Sequence, residues 1–216
     1  DKFNRNKEIS RIENVEAKDI TFYQKLGYKC QNKPDDYLCL RESLVRLRGN
    51  RFKSKRACFN YFVKHYPYEY LPFSSRYRDN CLKLYDVWMA ERKNTSLDAV
   101  YQGMLEDNRN CLKILLSNYK DLGLAGRIVK IDNEVKGFTF GFKLNKDTFC
   151  ILYEITDLAI KGLAQFIFRR YCCELKDYRY INIMDDSGLN NLKVVKLSYH
   201  PIKLIPAYIL TRNNNE

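Results

Sequence analysis

The sequence predicts a mixed α/β (α+β) fold in which mostly antiparallel central sheets are flanked by helices. Three features predict it. β-rich runs at 126–132, 135–144 and 148–155 follow one another with only Asp132-Asn133 and Asn145-Lys146-Asp147 at their junctions, the pattern of an antiparallel meander. Apolar residues recur at helical spacing over 51–66, 76–92, 108–121 and 161–175. After the meander the order continues as helix, strand, short helix, strand. With 216 residues, 45% hydrophobic and 14% aromatic, the chain can bury a substantial core, and only 9 Gly and 5 Pro exclude collagen-like, linker-like and low-complexity character.

From the start, residues 11–26 carry one short strand and one helix, closed by Gly27-Tyr28. Pro34-Asp35-Asp36 is expected to turn the chain before the extended stretch 37–40. Over 51–66 the apolar stripe is Phe52, Phe59, Phe62, Val63 and Tyr66, with Lys53, Lys55, Arg56 and Lys64 mostly off it, and Pro67 stops the helix. Residues 68–73 alternate as a strand. Ser74-Ser75 can cap the helix 76–92, whose buried face would hold Leu82, Tyr85, Trp88 and Met89. A looser segment precedes the helix 108–121, and Gly123 ends it. Beyond the meander come the helix 161–175, a strand 180–184, the turn Asp185-Asp186-Ser187-Gly188, a short helix 189–195 and a last extended run 202–210.

No apolar run approaches the roughly 20 residues of a membrane span, and Asp-Lys-Phe-Asn-Arg-Asn lacks a signal peptide's apolar stretch. The expectation is a cytoplasmic protein, with peripheral attachment to a membrane allowed. Charge is uneven. Residues 1–78 carry 18 basic and 9 acidic side chains, whereas residues 79–216 carry 20 and 17, within a formal net charge of +12. Such asymmetry suits a polyanionic partner: nucleic acid, a phosphorylated cofactor or an anionic lipid surface. Eight cysteines form no Cys-x-x-Cys pair and only two His are present, so no metal is expected and the cysteines read as reduced, buried small hydrophobes.

Four constellations could carry chemistry. At 154–165 a strand runs into a helix, whose start offers unpaired N–H groups and the positive end of the macrodipole. There Gly162 would let a phosphate approach the backbone, Lys161 would add charge, and Ala164 and Gln165 would lie in the first turn; a plain small-residue helix start is the alternative. Asn182-Ile183-Met184-Asp185-Asp186-Ser187-Gly188 ends a central strand, where ligands commonly bind. Asp185 and Asp186 could orient an amine or hydroxyl or act as base, or merely cap the next helix. In Lys196-Leu197-Ser198-Tyr199-His200-Pro201 the hydroxyls beside a lysine could donate to a collapsing ester. Between Arg41 and Arg56 seven basic residues face one acid, Glu42, and Arg51, Lys53, Lys55 and Arg56 could contact a phosphodiester backbone or an anionic bilayer, or be a solvated face.

Meander, helix, strand, helix, strand is the element order of GNAT acyltransferases, which hold the coenzyme A pyrophosphate on a Gln/Arg-x-x-Gly-x-Gly/Ala turn. Here Ala159-x-x-Gly162-x-Ala164 matches at the Gly and the Ala. The chain also resembles the phosphatidylglycerol lysyltransferase C-terminal domain family. Carrying the resemblance are residues 47–56 with Asn60, Phe62 and Tyr66-Pro67, Leu122-Gly123-Leu124-x-Gly126, and Glu154, Asp157 and Gly162. Asn182-x-x-Asp185-Asp186-x-Gly188 with Leu192, and Lys196-Leu197-Ser198-Tyr199-x-Pro201, complete it. The resemblance implies tandem GNAT-like halves, 1–78 and 79–216, the second more complete, and transfer of an amino acid from aminoacyl-tRNA to a lipid hydroxyl. In that frame Asp185 and Asp186 would bind the amino group or act as base, and Tyr199 would donate a proton. Glu154 would orient the acceptor, Asp157, Asn182, Lys196 and Ser198 would line the acceptor or amino-group site, and the basic helix would contact tRNA. An acyl-coenzyme A N-acyltransferase and a non-catalytic basic binding module are the alternatives. No cofactor is required beyond aminoacyl-tRNA or acyl-coenzyme A as donor.

Overall fold

The meander is where sequence and structure agree most closely. In the computed structural model, which describes residues 9–95 and 98–213, β4 (Ala125–Ile131), β5 (Glu134–Lys143) and β6 (Thr148–Thr156) pair antiparallel in succession. Asp132 and Asn133 both adopt left-handed φ of 49° and 64°, the geometry of a two-residue hairpin turn that Asp and Asn tolerate. A bulge at Lys136, where Val129 pairs with Gly137 but Lys130 with Val135, puts Val135 and Phe138 on the same face.

These strands belong to the larger of two compact units, residues 40–181. It also contains α2 (Arg41–Arg46), α3 (Lys53–His65), β3 (Glu69–Pro72), α4 (Arg78–Thr95), α5 (Ala99–Ser117), α6 (Leu163–Glu174) and the start of β7 (Tyr180–Asn182). Its strands run in the order β7-β6-β5-β4-β3. On one face α4 and α5 cover Ile128, Val135, Phe138, Phe140 and Ile155 with Cys81, Leu84, Tyr85, Leu112, Leu115 and Leu116. On the other, Phe62 of α3 and Leu163, Phe166 and Ile167 of α6 pack on Val129 and Ile131. Ile128 and Val129, adjacent in β4, serve opposite cores because successive side chains alternate.

Among the described residues, the smaller unit is assembled from 9–39 and 182–213. β1 (Ile9–Glu16), α1 (Ile20–Lys25) and β2 (Lys29–Leu40) come from the first stretch, α7 (Asn190–Leu197) and β8 (Lys203–Asn213) from the second. β8 lies between β1 and β2, antiparallel to both. The expected division at 78/79 falls inside the larger unit.

Several expectations are corrected. Pro34-Asp35-Asp36 does not turn the chain: β2 runs through it with a bulge, Lys33 pairing with Ala207 and Asp36 with Ile205. Proline is tolerated there because a bulge leaves a backbone N–H unpaired in any case. The segment before residue 108 is helical: α5 starts at Ala99 because the Asp98 carboxylate accepts the Tyr101 N–H at 2.8 Å. Ser74 makes no side-chain cap, and a 3₁₀ turn over 75–77 opens α4 instead. Within the stripe of α3, Phe52 and Phe62 are buried but Val63 is exposed. Of the eight free cysteines, Cys39, Cys81, Cys150 and Cys172 are buried and Cys111 is exposed.

Candidate active site

In the smaller unit, the residues after β7 are fixed by their own side chains. Asn182 Oδ1 accepts the Met184 N–H at 2.7 Å, Asp185 Oδ1 the Ser187 N–H at 2.6 Å, and Asp186 Oδ1 the Gly188 N–H at 2.9 Å. Each bond reaches two residues ahead, the turn that Asn and Asp favour. Left-handed φ at Met184 (60°), Ser187 (52°) and Gly188 (72°) completes the winding.

The remaining polar atoms of these three side chains turn to β2. Asp185 Oδ2 pairs with Lys33 Nζ at 2.7 Å, Tyr37 donates its hydroxyl to Asp186 Oδ2 at 2.6 Å, and Asn182 Nδ2 donates to Asp36 Oδ2 at 2.8 Å. Lys33 also donates to Asn14 Oδ1 at 2.5 Å, and Lys196 of α7 donates to the Ile183 carbonyl. In a regular strand, residues 33 and 36 would face opposite ways; the extra residue of the bulge lets both serve one cluster. The result is three carboxyls, two ammonium groups and a phenol in surroundings where Asp185 and Asp186 are each only 7% exposed.

Burial raises the Asp36 carboxyl above its ordinary range; the Asn182 bond and the charges of Lys33 and Lys196 oppose that, and Asp185 adds to it. Asp36 Oδ1 is buried and has no hydrogen-bond partner among the described residues, whereas both oxygens of Asp185 and Asp186 are engaged. Burial, reinforced by the bond to Asp186, pushes the Tyr37 phenol up to about 12. Tyr199 is buried just beyond α7, its N–H donating to the Lys196 carbonyl at 3.1 Å. The Ser198 hydroxyl is turned back on the Val195 carbonyl and closes the end of α7.

In the larger unit, the strand-helix junction meets α3. Gly162 has φ +86°, and a Cβ there would lie 2.1 Å from the Cys58 carbonyl oxygen and 3.1 Å from the Phe62 Cβ. Its missing side chain therefore makes room for a helix backbone, which corrects the expectation that it opens the chain to a phosphate. The Lys161 ammonium lies 4.5 Å from the centre of the Tyr61 ring. Ala164 and Gln165 occupy the first turn of α6, both half-buried. Lys55 is half-buried within the field of Glu154 and Cys58, with burial the larger effect and its ammonium pKa lowered. Asp157 accepts the Ala159 N–H at 3.0 Å and pairs with Lys136 at 3.3 Å, a local structural engagement. In the basic segment Arg51 and Lys53 are exposed, but Arg56 is turned inward onto the carbonyls of Leu47 and Gly49.

The structure thus joins Asn182, Asp185, Asp186 and Lys196 in one cluster and places Glu154, Asp157, Lys161, Gly162, Ala164 and Gln165 on the other unit. Lys33, Asp36 and Tyr37 were not anticipated. Their signal was two charged side chains flanking a proline inside an otherwise extended run, which turn propensity obscured.

A family model described as "Phosphatidylglycerol lysyltransferase, C-terminal" matches residues 4–211. The chain belongs to that family. Among solved structures, a conserved protein of unknown function from Bacteroides thetaiotaomicron VPI-5482 is 27% identical, with TM-score 0.77 over 94% of this chain and 69% of that one. The L-PGS of Bacillus licheniformis is 16% identical, with TM-score 0.65 over 95% and 68%. A tandem GNAT protein from the clavulanic acid biosynthesis pathway is 10% identical, with TM-score 0.51 over 96% and 64%. No curated protein matches the sequence. This phosphatidylglycerol lysyltransferase C-terminal member thus shares its fold with L-PGS and with the tandem GNAT protein. Among the described residues, no helix is long and apolar enough to cross a membrane.

Proposed function

We propose that the domain transfers an aminoacyl group from aminoacyl-tRNA to a hydroxyl or amine acceptor, a phosphatidylglycerol-like lipid being the model acceptor, and that the buried cluster on β2 and the β7–α7 loop performs the proton transfers. Family membership supports the aminoacyl group and the acceptor class. The observation that carries the mechanism is Asp36, a carboxyl whose pKa burial raises and whose Oδ1 has no hydrogen-bond partner among the described residues. A carboxylate of raised pKa is a better proton acceptor near neutral pH than an ordinary one.

In this mechanism the acceptor oxygen or nitrogen attacks the ester carbonyl while its proton passes to Asp36 Oδ1. The bond from the carbonyl carbon to the tRNA ribose oxygen then breaks, and that oxygen takes a proton from Tyr199, which is restored by the proton held on Asp36. Asp185, paired with Lys33, attracts the aminoacyl ammonium group, and Asp186, tied to Tyr37 and Gly188, holds the loop in place. Asn182 keeps Asp36 oriented, and Lys196 pins the strand end at Ile183. No covalent enzyme intermediate is needed.

Transfer or deacylation of a mixed aminoacyl-tRNA pool tests this. Asp36→Asn should lose roughly 100-fold or more in turnover, the usual contribution of a positioned base, while retaining its fold by circular dichroism. Full activity in Asp36→Asn, or in the Asp185→Asn, Asp186→Asn double variant, would sink the assignment. Calorimetric titration with coenzyme A and acetyl-coenzyme A checks the competing donor. Saturable binding there would move the domain to acyl-coenzyme A chemistry, against which Ala159 and the Cys58 carbonyl at Gly162 both stand.

A further inference from the structure

The segment between α2 and α3 forms a feature that the cluster does not use. α2 ends on Leu47, whose φ of 46° is left-handed, an outlier for a bulky residue, and Gly49 follows at φ 83°. Two things hold this shape. Leu47 and Phe52 are buried at 2% and 1% exposure, and Arg56 donates to the Leu47 carbonyl and, at 2.7 Å, to the Gly49 carbonyl. The winding brings Arg46, Arg48 and Arg51 around one open cleft of about 290 Å³, with Leu40, Ser43 and Phe52 in its lining. Glu42 is the acid in that lining and pairs with Arg46 at 2.6 Å. Arg48 and Arg51 are exposed, and the Arg51 guanidinium lies 5.3 Å from the Phe52 ring centre.

We propose that this arginine cleft seats a phosphodiester group of RNA, the donor's own backbone; the proposal rests on the aminoacyl-tRNA reading above. Arginine forks suit phosphate oxygens bidentately. A volume of about 290 Å³ is at the small end of ligand pockets, the scale of a phosphate with its sugar. By capping the Leu47 and Gly49 carbonyls, Arg56 also removes two oxygens that would repel an anion. A flat bilayer is disfavoured as the occupant. The cleft is concave, and its apolar lining, Leu40 half-buried and Phe52 buried, offers nothing to insert among acyl chains.

The experiment is fluorescence-anisotropy titration of bulk uncharged tRNA at two or three salt concentrations, on the unsubstituted chain and on Arg48→Ala, Arg51→Ala and Lys120→Ala. Lys120 is exposed outside the cleft and serves as the control. Arg48→Ala and Arg51→Ala should each weaken Kd about three- to tenfold and lower the slope of log K against log salt by about one. Their melting temperatures should not move, and in the transfer assay KM for the donor should rise with kcat kept. Lys120→Ala should have less effect on Kd. Unchanged RNA affinity in both arginine variants overturns the cleft. So does a selective loss of coenzyme A binding, or of binding to phosphatidylglycerol vesicles, in their place. If RNA binding depends on Arg48 and Arg51 but no donor is ever turned over, the cleft stands and the transferase reading falls. If transfer proceeds with unchanged KM in both variants, the reverse holds.

Discussion

Gly162 offers the sharpest test of how the larger unit is built. Replacing it with alanine places a Cβ 2.1 Å from the Cys58 carbonyl oxygen and 2.9 Å from its carbonyl carbon. Both are helix backbone, which cannot rotate out of the way as a side-chain tip can. The left-handed conformation at φ +86° costs an alanine about 1–2 kcal/mol. Forcing α3 off the start of α6 adds an overpacking penalty of about 1–3 kcal/mol, and rigid neighbours put it near the upper end. A total of about 4 kcal/mol corresponds to roughly 8–16 °C in Tm for a chain of this size. Gly123→Ala is the matched control, because Gly123 is also left-handed (φ +61°) in the same unit but has nothing within 4 Å of the added Cβ. It should lose only the conformational part, roughly 2–8 °C. Thermal unfolding followed by the single tryptophan, Trp88 on α4, reports the larger unit. Equal shifts in the two variants would refute the seating of α3 on Gly162 and restore this glycine as a resting place for a phosphate.

Four further outcomes follow from the same geometry. Asp36→Asn should raise stability near neutral pH, because burial of the ionised carboxylate opposes folding above its raised pKa; the gain should vanish below about pH 4, where the carboxyl is protonated in both folded and unfolded chains, as urea midpoints across that range will show. Lys33→Met should destabilise the chain by about 3–5 kcal/mol, because it leaves the Asp185 carboxylate buried without its cation, and the double variant with Asp185→Asn should lose less than the sum. Stability should fall as pH rises from about 10 toward 12: the Tyr37 phenol stays protonated in the folded chain up to about 12 while the unfolded chain ionises near 10, and Tyr37→Phe should make the fall shallower by up to about 1.4 kcal/mol per unit, the other buried tyrosines Tyr70, Tyr85, Tyr153 and Tyr171 keeping the rest. Arg56→Met should weaken RNA binding without touching the cleft's own arginines, since it releases the loop at Leu47 and Gly49; limited proteolysis at 47–50 alongside the anisotropy titration checks this.

What could be read from the sequence was whatever short-range chemistry decides. The meander declared itself because its turns are two and three residues long and built from Asp and Asn, so register follows from the hairpins. The Asn182-x-x-Asp185-Asp186-x-Gly188 winding is similarly local, each side chain bonding two residues ahead. α2 escaped notice because six residues are too few to show a period, and the first nine residues of α5 because Gly103 weakens the pattern. The bulge in β2 was decided by β8, which lies more than 160 residues further along the chain, against a strong local turn signal. The same distance hid the site's second half. Tyr37 and Asp186 are 149 residues apart, and no spacing rule couples a lysine, an aspartate and a tyrosine on one strand to a loop so remote. Gly162 was noticed for the right reason, a glycine at a helix start, but what fills the space beside it is a helix 104 residues earlier, at Cys58.

The smaller unit draws its strands from two stretches far apart in the sequence, and this governs when its buried cluster can first assemble during synthesis. Residues 40–181 are contiguous and can fold as soon as they leave the ribosome, whereas β1 and β2 must wait for β8 to be placed between them. Until residues 182–213 emerge, Lys33, Asp36 and Tyr37 have none of the partners that define the cluster. A chain broken off before residue 182 would therefore lack every one of these partners, and the buried cluster assembles only once residues 182–213 have been made.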